Sequence, residues 1–351
     1  MFEKLKEFCD LFLEMGVPGL DLAVYRDGEC ILRYTKGYSD IENKVKMNGK
    51  ERYNIYSCSK PITCTAALQL WEKGLFSLED KLSDYMPEFK ELTVLSDGEV
   101  KKARNPILIK HLFEMTAGFS YDCSSPQLKK AMCETEGRCP TRKTMEYLAK
   151  EPLIFEPGAR WEYSLCHDVL AALLEVLSGE KFEIYVQKNI FDPIGMENST
   201  FMLTESEVET LAPQYRFENG KRVDVGKHIL AYKIGSEYAS GGAGCISTVD
   251  DYIKFLEALR TFKLLKPETL KLMTTDRLNS HQKETYWTAQ THGYGLVCVA
   301  PKGIGSMGNS DGAEQPVHIW LLIWKMPFRF IWVATCCYRR LRALGCFCIA
   351  L

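Results

Sequence analysis

The first residues whose types and spacing suggest chemistry are Ser57-Cys58-Ser59-Lys60, which set a serine hydroxyl and a lysine amine in the pattern S-x-x-K. If Ser57 begins a helix, Lys60 lies one turn later on the same face, and its amine reaches the hydroxyl. A serine alcohol becomes a good nucleophile only when a neighbouring base takes its proton. The helix N-terminus also offers a backbone N–H to a developing oxyanion. The alternative interpretation is a simple helix N-cap at the serine.

A second candidate is Tyr163, in the segment FEPGARWEYS (residues 155–164). Pro157-Gly158 predicts a turn that places the tyrosine hydroxyl just before a helix. From there the hydroxyl can share a proton with Lys60 and pass it to a leaving group. Taken alone, the same pattern also fits a half-buried tyrosine at a helix start.

The elements around these residues predict an α+β fold. Two strand-like runs flank Asp27-Gly28, a strong hairpin signal, and another strand-like run, YGLVCVA, begins at residue 294. Helical patterns lie between the strands and end at glycine or Ser-Gly signals. They cover residues 4–15, 57–74, 106–116, 168–177 and about 249–259.

Strands near both ends with helices between them indicate the domain organisation. We expect one domain over residues 1–306. Its antiparallel sheet, flanked by helices, is assembled from about 1–95 and 240–306, and a mainly helical part covers about 96–239. We expect the site in the cleft between the two parts.

Five segments, in the right order, resemble the serine β-lactamase-related family, whose fold is like that of penicillin-binding proteins. They are S-x-x-K at 57–60, ILIKHLFEMTAGFSYD at 107–122, FEPGARWEYS at 155–164, NIFDPIGMENSTF at 189–201 and GGAGCISTVDDYIKFLEAL at 241–259. The resemblance runs from about residue 10 to about residue 306 and implies the β-lactamase/transpeptidase-like fold. It implies that Ser57 is acylated, that Lys60 is the base and that Tyr163 is its proton partner. It also places Ser164 among the substrate-binding or oxyanion residues, and it implies no metal or organic cofactor.

The second motif departs from the family pattern. It is usually Tyr-x-Asn, where the asparagine helps to bind the amide of β-lactam substrates, but here Leu165 takes that place. The change favours ester or peptide cleavage over efficient β-lactam turnover. His167 follows closely, and a lone histidine at a helix start is typical of a surface or capping residue.

The third motif of the family, Lys-Thr-Gly, His-x-Gly or Trp-x-Gly, should follow YGLVCV on the edge strand that completes the oxyanion hole. Here Asp311-Gly312 is the nearest imitation. Residues 307–351 differ from the rest of the chain, since they are rich in tryptophan and cysteine and contain no acidic residue after Glu314.

The genetic code suggests an origin for this tail. Codons for residues 307–320, read from the last base of the Met307 codon, can spell Gly-Glu-Phe-Gly-Trp-Gly-Gly-Ala-Ala-Gly-Ala-Tyr-Leu, which contains the missing Trp-x-Gly strand. We therefore interpret residues 307–351 as out-of-frame sequence that replaces the last strands and helix, and we expect the sheet edge beside them to be left open. The alternative is a genuine tail that anchors the protein in a membrane, although Lys325, Pro327 and Arg329 interrupt its apolar run.

The composition sets broader bounds. A net charge of -2 and a pI near 6.4 give no overall field that favours nucleic acid or an anionic membrane. Lysine and glutamate interrupt the first apolar stretch, so we expect no signal peptide and a cytoplasmic location. The 14 cysteines show no metal-binding spacing and are expected to be reduced thiols.

The sequence thus favours a serine hydrolase that cleaves a small-molecule ester, amide or peptide through a Ser57 acyl-enzyme. Because the third motif is missing, the alternative is a catalytically impaired or non-catalytic member that only binds such ligands.

Overall fold

The structure, a computed structural model, describes residues 2–218, 221–227, 234–287, 289–290, 292–296, 299–301, 316–317, 329–334 and 336–337. Its helices, numbered along the chain, are α1 Glu3–Glu14, α2 Ser59–Glu72, α3 Ile109–Phe113, α4 Pro126–Glu134, α5 Thr141–Leu148, α6 Cys166–Ser178, α7 Phe182–Val186, α8 Asp192–Ile194, α9 Glu205–Val208, α10 Val249–Arg260, α11 Pro267–Thr274 and α12 Ser280–Thr285. Its strands are β1 Gly19–Arg26, β2 Glu29–Asp40, β3 Val45–Lys46, β4 Tyr53–Asn54, β5 Thr93–Ser96, β6 Glu99–Lys102, β7 Gln214–Glu218, β8 Lys221–Gly226, β9 Ile246–Ser247, β10 His292–Tyr294, β11 Val299–Pro301, β12 Pro316–Val317, β13 Arg329–Ala334 and β14 Cys336–Cys337.

The largest described sheet is antiparallel, with the strand order β13-β1-β2-β3. Asp27 and Gly28 both have positive φ, as a tight hairpin turn requires, and they join β1 to β2 as predicted. Side chains along β1 alternate between two covered faces. Leu20, Leu22 and Val24 pack with α1, while Ala23 belongs to the main core.

Three smaller pairings lie near the predicted limits of the sheet. The hairpin β5–β6 spans the expected limit at residue 95, and Asp97 and Gly98, both with positive φ, form its turn. Among the described strands, β9 pairs with β4, which joins the first and last of the predicted sheet segments, and β10 pairs with β11.

The expectation of an open edge beside β1 is wrong. Arg329–Ala334 pairs antiparallel with β1, from Leu20 opposite Ala334 to Tyr25 opposite Arg329. Backbone groups make this pairing, and the strand RFIWVA is rich in β-branched and aromatic residues, so its β-propensity alone favours it. The wider division of the chain into parts, and the origin of residues 307–351, stay predictions.

Helices α2 and α6 form the centre of the helical part. They pack against each other, and α3, α5 and α7 surround α6. Residues 166–174 of α6 are all buried, in keeping with a sequence that is apolar on nearly every side, and the helix ends at Gly179 in the left-handed conformation. The two helices therefore give the site rigid supports. No helix in the described ranges combines the length and apolar character needed to cross a bilayer.

Candidate active site

Ser57 lies in a tight turn directly before α2. A single 3-10 turn covers Tyr56–Cys58, and α2 begins at Ser59. Tyr56 has a φ of 44°, a left-handed conformation that costs energy for a residue with a side chain and persists only where its surroundings hold it. The Ser59 hydroxyl holds it by donating to the Tyr56 carbonyl and accepting the Cys245 N–H at 2.9 Å. The backbone at Ser57 is thus fixed from both sides of the turn.

Three predicted residues, Ser57, Lys60 and Tyr163, come together in one hydrogen-bonded group. The Lys60 Nζ donates to the Ser57 Oγ at 3.1 Å, and the hydroxyls of Ser57 and Tyr163 are hydrogen-bonded to each other. The Lys60 side chain is buried, whereas Ser57 and Tyr163 are half-buried. The hydroxyl of Ser57 thus lies between an amine and a phenol, and both can exchange protons with it.

The backbone of Gly242 is a further partner of Lys60. The lysine amine donates to the Gly242 carbonyl at 2.7 Å, and the hydroxyl of Thr63 donates to the neighbouring Gly241 carbonyl at the same distance. Side chains cannot fit on this loop. A Cβ at Gly241 would lie 2.4 Å from the His167 carbonyl oxygen, and one at Gly242 would lie 2.6 Å from a carboxylate oxygen of Asp168.

Asp168 anchors the glycine loop from α6. It is fully buried, and its Oδ1 accepts hydrogen bonds from Tyr238 Oη at 2.9 Å and from Ser240 Oγ at 2.6 Å. Ser240 Oγ in turn accepts the Ala243 N–H at 3.0 Å. Burial raises the pKa of Asp168, while the bond from Ser240 and the charge of Lys60 oppose that rise. The carboxyl group therefore fixes the loop that presents a carbonyl to Lys60.

Aromatic rings surround the amine and the phenol. Tyr121 stacks on Tyr163 with a centroid distance of 5.4 Å and an interplanar angle of 11°. The Lys60 Nζ lies 4.5 Å from the centroid of Tyr163 and 5.5 Å from that of Tyr121, within the range of cation–π attraction. Trp287 lies beside Tyr163 at 5.6 Å.

Two neighbouring residues discussed in the sequence analysis, Ser164 and Leu165, make their contacts away from the Ser57 hydroxyl. The Ser164 hydroxyl is buried and donates to the sulfur atoms of Cys166 at 3.2 Å and Met115 at 3.7 Å, so the structure does not bring it to the Ser57 hydroxyl. Its substrate-binding role stays a prediction. Leu165, which replaces the family's asparagine, is buried in the core.

The prediction that His167 is a surface or capping residue is wrong. It is fully buried near the start of α6, and among the described residues neither ring nitrogen has a hydrogen-bond partner. Burial, followed by the charge of Lys60, holds the pKa of His167 well below its usual range. This histidine is therefore neutral near pH 7. The helix enters the core from its first turn because α2 and α3 pack against it, which a pattern of residue types does not reveal.

Cys58 is a competing nucleophile inside the S-x-x-K motif. Its side chain is buried, and burial raises the pKa of the thiol well above its usual value. Because the thiolate is the reactive form of cysteine, this environment disfavours a cysteine nucleophile.

Asp311 and Gly312, the predicted stand-ins for the third motif, lie outside the described residues. Within the described ranges, no three His, Cys, Asp or Glu side chains are grouped as metal ligands would be.

Sequence reasoning missed Gly242, Asp168, Tyr121 and Trp287. The segment at 241–259 contributed only to the family resemblance, since the contact of the Gly242 carbonyl with the distant Lys60 has no sequence signal. Asp168 does have a sequence signal. It lies near the start of an otherwise apolar helix, and an acidic residue buried there needs hydrogen-bond partners.

The fold and this serine–lysine–tyrosine group define a class, the α+β proteins built like serine β-lactamases and penicillin-binding proteins. The family model described as Beta-lactamase matches residues 4–319. The chain therefore belongs to the beta-lactamase family, and the predicted fold class is confirmed.

Individual relatives agree with that assignment. Protein Rv1367c of Mycobacterium tuberculosis (strain ATCC 25618 / H37Rv) is 27% identical over 314 residues, which span 84% of this chain and 77% of that protein. Esterase EstB of Burkholderia gladioli is 29% identical over 285 residues, or 75% of this chain and 71% of the esterase. The solved structure of EstCE1, "a hydrolase with promiscuous acyltransferase activity", matches with a TM-score of 0.75 and 25% identity, over 94% of this chain and 92% of that one.

Proposed function

We propose that this protein is a serine hydrolase that cleaves small-molecule esters through an acyl-enzyme on Ser57. The observation that carries the proposal is the contact of the Ser57 hydroxyl with both the Lys60 amine and the Tyr163 hydroxyl. The names of two relatives, an esterase and a hydrolase with acyltransferase activity, support the same reaction class.

The acylation step uses these groups in order. Lys60 takes the proton of Ser57 as the serine oxygen attacks the carbonyl carbon of the ester. As the tetrahedral intermediate collapses, the bond to the leaving oxygen breaks, and that oxygen receives a proton through Tyr163. An alcohol leaves, and the acyl group stays on Ser57.

The oxyanion needs two backbone donors. We propose the N–H of Ser57 as the first, because the turn before α2 fixes its direction. The second belongs to the third motif, which lies outside the described residues.

The acyl-enzyme then reacts with water or with an alcohol, and Tyr163 and Lys60 remove the proton of the attacking group. As the bond between the acyl carbon and the Ser57 oxygen breaks, that proton returns to the serine. Water gives hydrolysis, and an alcohol gives acyl transfer. The buried Leu165 offers no amide to a β-lactam substrate, which favours esters and peptides over β-lactams.

A labelling experiment tests the proposal. Wild-type protein, Ser57→Ala and the surface control Ser206→Ala are treated with a fluorophosphonate, and the labelled peptide is identified by mass spectrometry. We expect one label on Ser57 in the wild type and in the control, and none in Ser57→Ala. Equal labelling of Ser57→Ala would overturn the proposal, and loss of label in Cys58→Ala would move the nucleophile to the thiol.

We also propose a cytoplasmic setting, where thiols stay reduced. The cysteines at positions 9, 30, 58, 64, 123, 133, 139, 166 and 245 are free thiols. Fractionation of the producing cells tests this, and recovery with membranes would favour the tail as an anchor.

A further inference from the structure

Three aromatic residues, Trp161, Tyr163 and Trp287, form a continuous wall beside the nucleophile, called here the aromatic wall. The ring of Trp287 lies 5.1 Å from that of Trp161 and 5.6 Å from that of Tyr163. Trp161 is buried against Tyr286, at 4.8 Å, and Tyr294, at 5.6 Å. The inner part of the wall is therefore held in place by the core.

The outer part of the wall is open to solvent. Trp287 is 53% exposed, whereas Trp161 is 2% exposed. An exposed tryptophan braced by buried rings offers a large, rigid apolar surface that loses little conformational freedom when a ligand covers it. Aromatic side chains beside a few polar groups are the usual lining of small-molecule sites.

The wall is joined to the reacting atoms through Tyr163, whose hydroxyl is hydrogen-bonded to Ser57. A group that donates a proton to the leaving oxygen must lie within hydrogen-bond distance of it, about 3 Å. The substituent on that oxygen then lies alongside the rings that flank Tyr163. Trp287 is the ring among them with the largest open surface.

We propose that the aromatic wall binds the alcohol part of the substrate, and that the preferred esters carry an aromatic or other bulky apolar alcohol. This inference rests on the proposed function, because it uses Tyr163 as the group that protonates the leaving oxygen. By reversal of the same step, apolar alcohols are the preferred acceptors when the acyl group is transferred instead of hydrolysed.

The test compares three esters that place a ring on different sides: ethyl acetate, 2-naphthylmethyl acetate and ethyl 2-naphthylacetate. Wild type, Trp287→Ala and Trp287→Phe are compared as ratios of kcat/KM, in which the intrinsic reactivity of each ester cancels. In Trp287→Ala, the preference for 2-naphthylmethyl acetate over ethyl acetate should fall roughly fivefold. The preference for the ester with the ring on its acyl side should fall less, and Trp287→Phe should keep part of the wild-type preference.

Several results would overturn the inference. An unchanged preference in Trp287→Ala removes the aromatic wall as a binding surface, and a larger loss for ethyl 2-naphthylacetate assigns it to the acyl side. Phe262, which is 50% exposed, provides the matched control as Phe262→Ala. A drop in preference as large in this control as in Trp287→Ala would make the effect unspecific.

Binding gives a second measurement that needs no turnover. Equilibrium dialysis of 2-naphthylmethanol should show roughly fivefold weaker binding to Trp287→Ala than to wild type. Equal binding would overturn the inference. The proposed function fails separately, if Ser57→Ala cleaves the three esters as fast as the wild type does.

Discussion

The Lys60 amine donates a hydrogen bond to the backbone carbonyl of Gly242 at 2.7 Å. A carbonyl can only accept a hydrogen bond, so this contact fixes the direction of one N–H of the amine. A second N–H is then directed at the Ser57 hydroxyl. The position of the base is thus set by backbone from another part of the chain, and that backbone is itself held by Asp168.

Lys60→Arg separates the charge of this residue from its basicity. A guanidinium keeps the positive charge but cannot give up a proton at working pH. We expect esterase kcat to fall by roughly 10²- to 10⁴-fold, the usual size of a general-base contribution. The measurement is p-nitrophenyl acetate turnover at equal folded concentration. Near-wild-type turnover in Lys60→Arg would show that Lys60 supplies only charge.

Tyr163→Phe keeps the aromatic ring and removes the hydroxyl that contacts Ser57. We expect a smaller loss than in Lys60→Arg, because the amine still reaches the serine. Esters with poor leaving groups should suffer most, since they depend on protonation of the leaving oxygen. A series of alkyl and aryl acetates measures this, with Tyr147→Phe as a control. A uniform loss across the series would contradict the role of Tyr163 as proton donor.

Asp168→Asn tests the support of the glycine loop. An uncharged amide oxygen accepts weaker hydrogen bonds from Tyr238 and Ser240 than a carboxylate oxygen does, so the Gly242 carbonyl should shift from Lys60. We expect kcat to fall by roughly tenfold with little change in KM, as for a positioning residue. If the Asp168→Asn protein were less stable to heat but kept the wild-type kcat, the role of Asp168 would be only structural.

His111 should make the stability of the fold depend on pH. Burial lowers the pKa of His111 from 6.5 to about 4, and its Nδ1 accepts the Leu108 N–H at 3.2 Å, which requires the neutral ring. The unfolded state therefore binds the extra proton first as pH falls. Stability present above pH 6.5 is lost progressively towards pH 4.

Denaturant unfolding measures this effect. Between pH 7.5 and pH 5, the contribution of His111 should fall by about 2 kcal/mol. His111→Gln keeps a side-chain acceptor for the Leu108 N–H but does not titrate, so its loss over the same range should be smaller by that amount. Parallel pH curves for the two proteins would rule out His111 as the source.

Restoring the reading frame at codon 307 tests the origin of the tail. We propose that the restored sequence supplies Trp-x-Gly and with it the second oxyanion donor. The absence of one such donor costs roughly 10²- to 10³-fold in rate. We expect the restored protein to turn over a p-nitrophenyl ester faster than the protein with the present tail, by about that factor. Equal turnover would mean that Asp311-Gly312 serves as the third motif and that the tail is genuine.

The sequence predicted the parts of the site that depend on short spacing. Ser57 and Lys60 meet because one helical turn separates them, and the Asp27-Gly28 hairpin follows from its turn residues. Tyr163 required the family resemblance, since its spacing from Ser57 carries no geometric information. The Gly242 carbonyl and the ring of Trp287 reach the site only through tertiary packing, which leaves no periodic pattern in the chain. Tertiary packing also explains the two wrong predictions, that His167 lies at the surface and that the sheet edge at β1 is unpaired.

The pairing of Leu20 with Ala334 has a consequence for biosynthesis. Strand β1 leaves the ribosome 314 residues before its partner on the other edge, the separation of Leu20 from Ala334. At roughly 5–20 residues per second, β1 waits on the order of 15–60 s for that neighbour. During this interval, its open edge is a target for chaperones and for other nascent chains. The yield of folded protein should therefore depend on translation speed and on chaperone supply, whichever sequence completes the sheet.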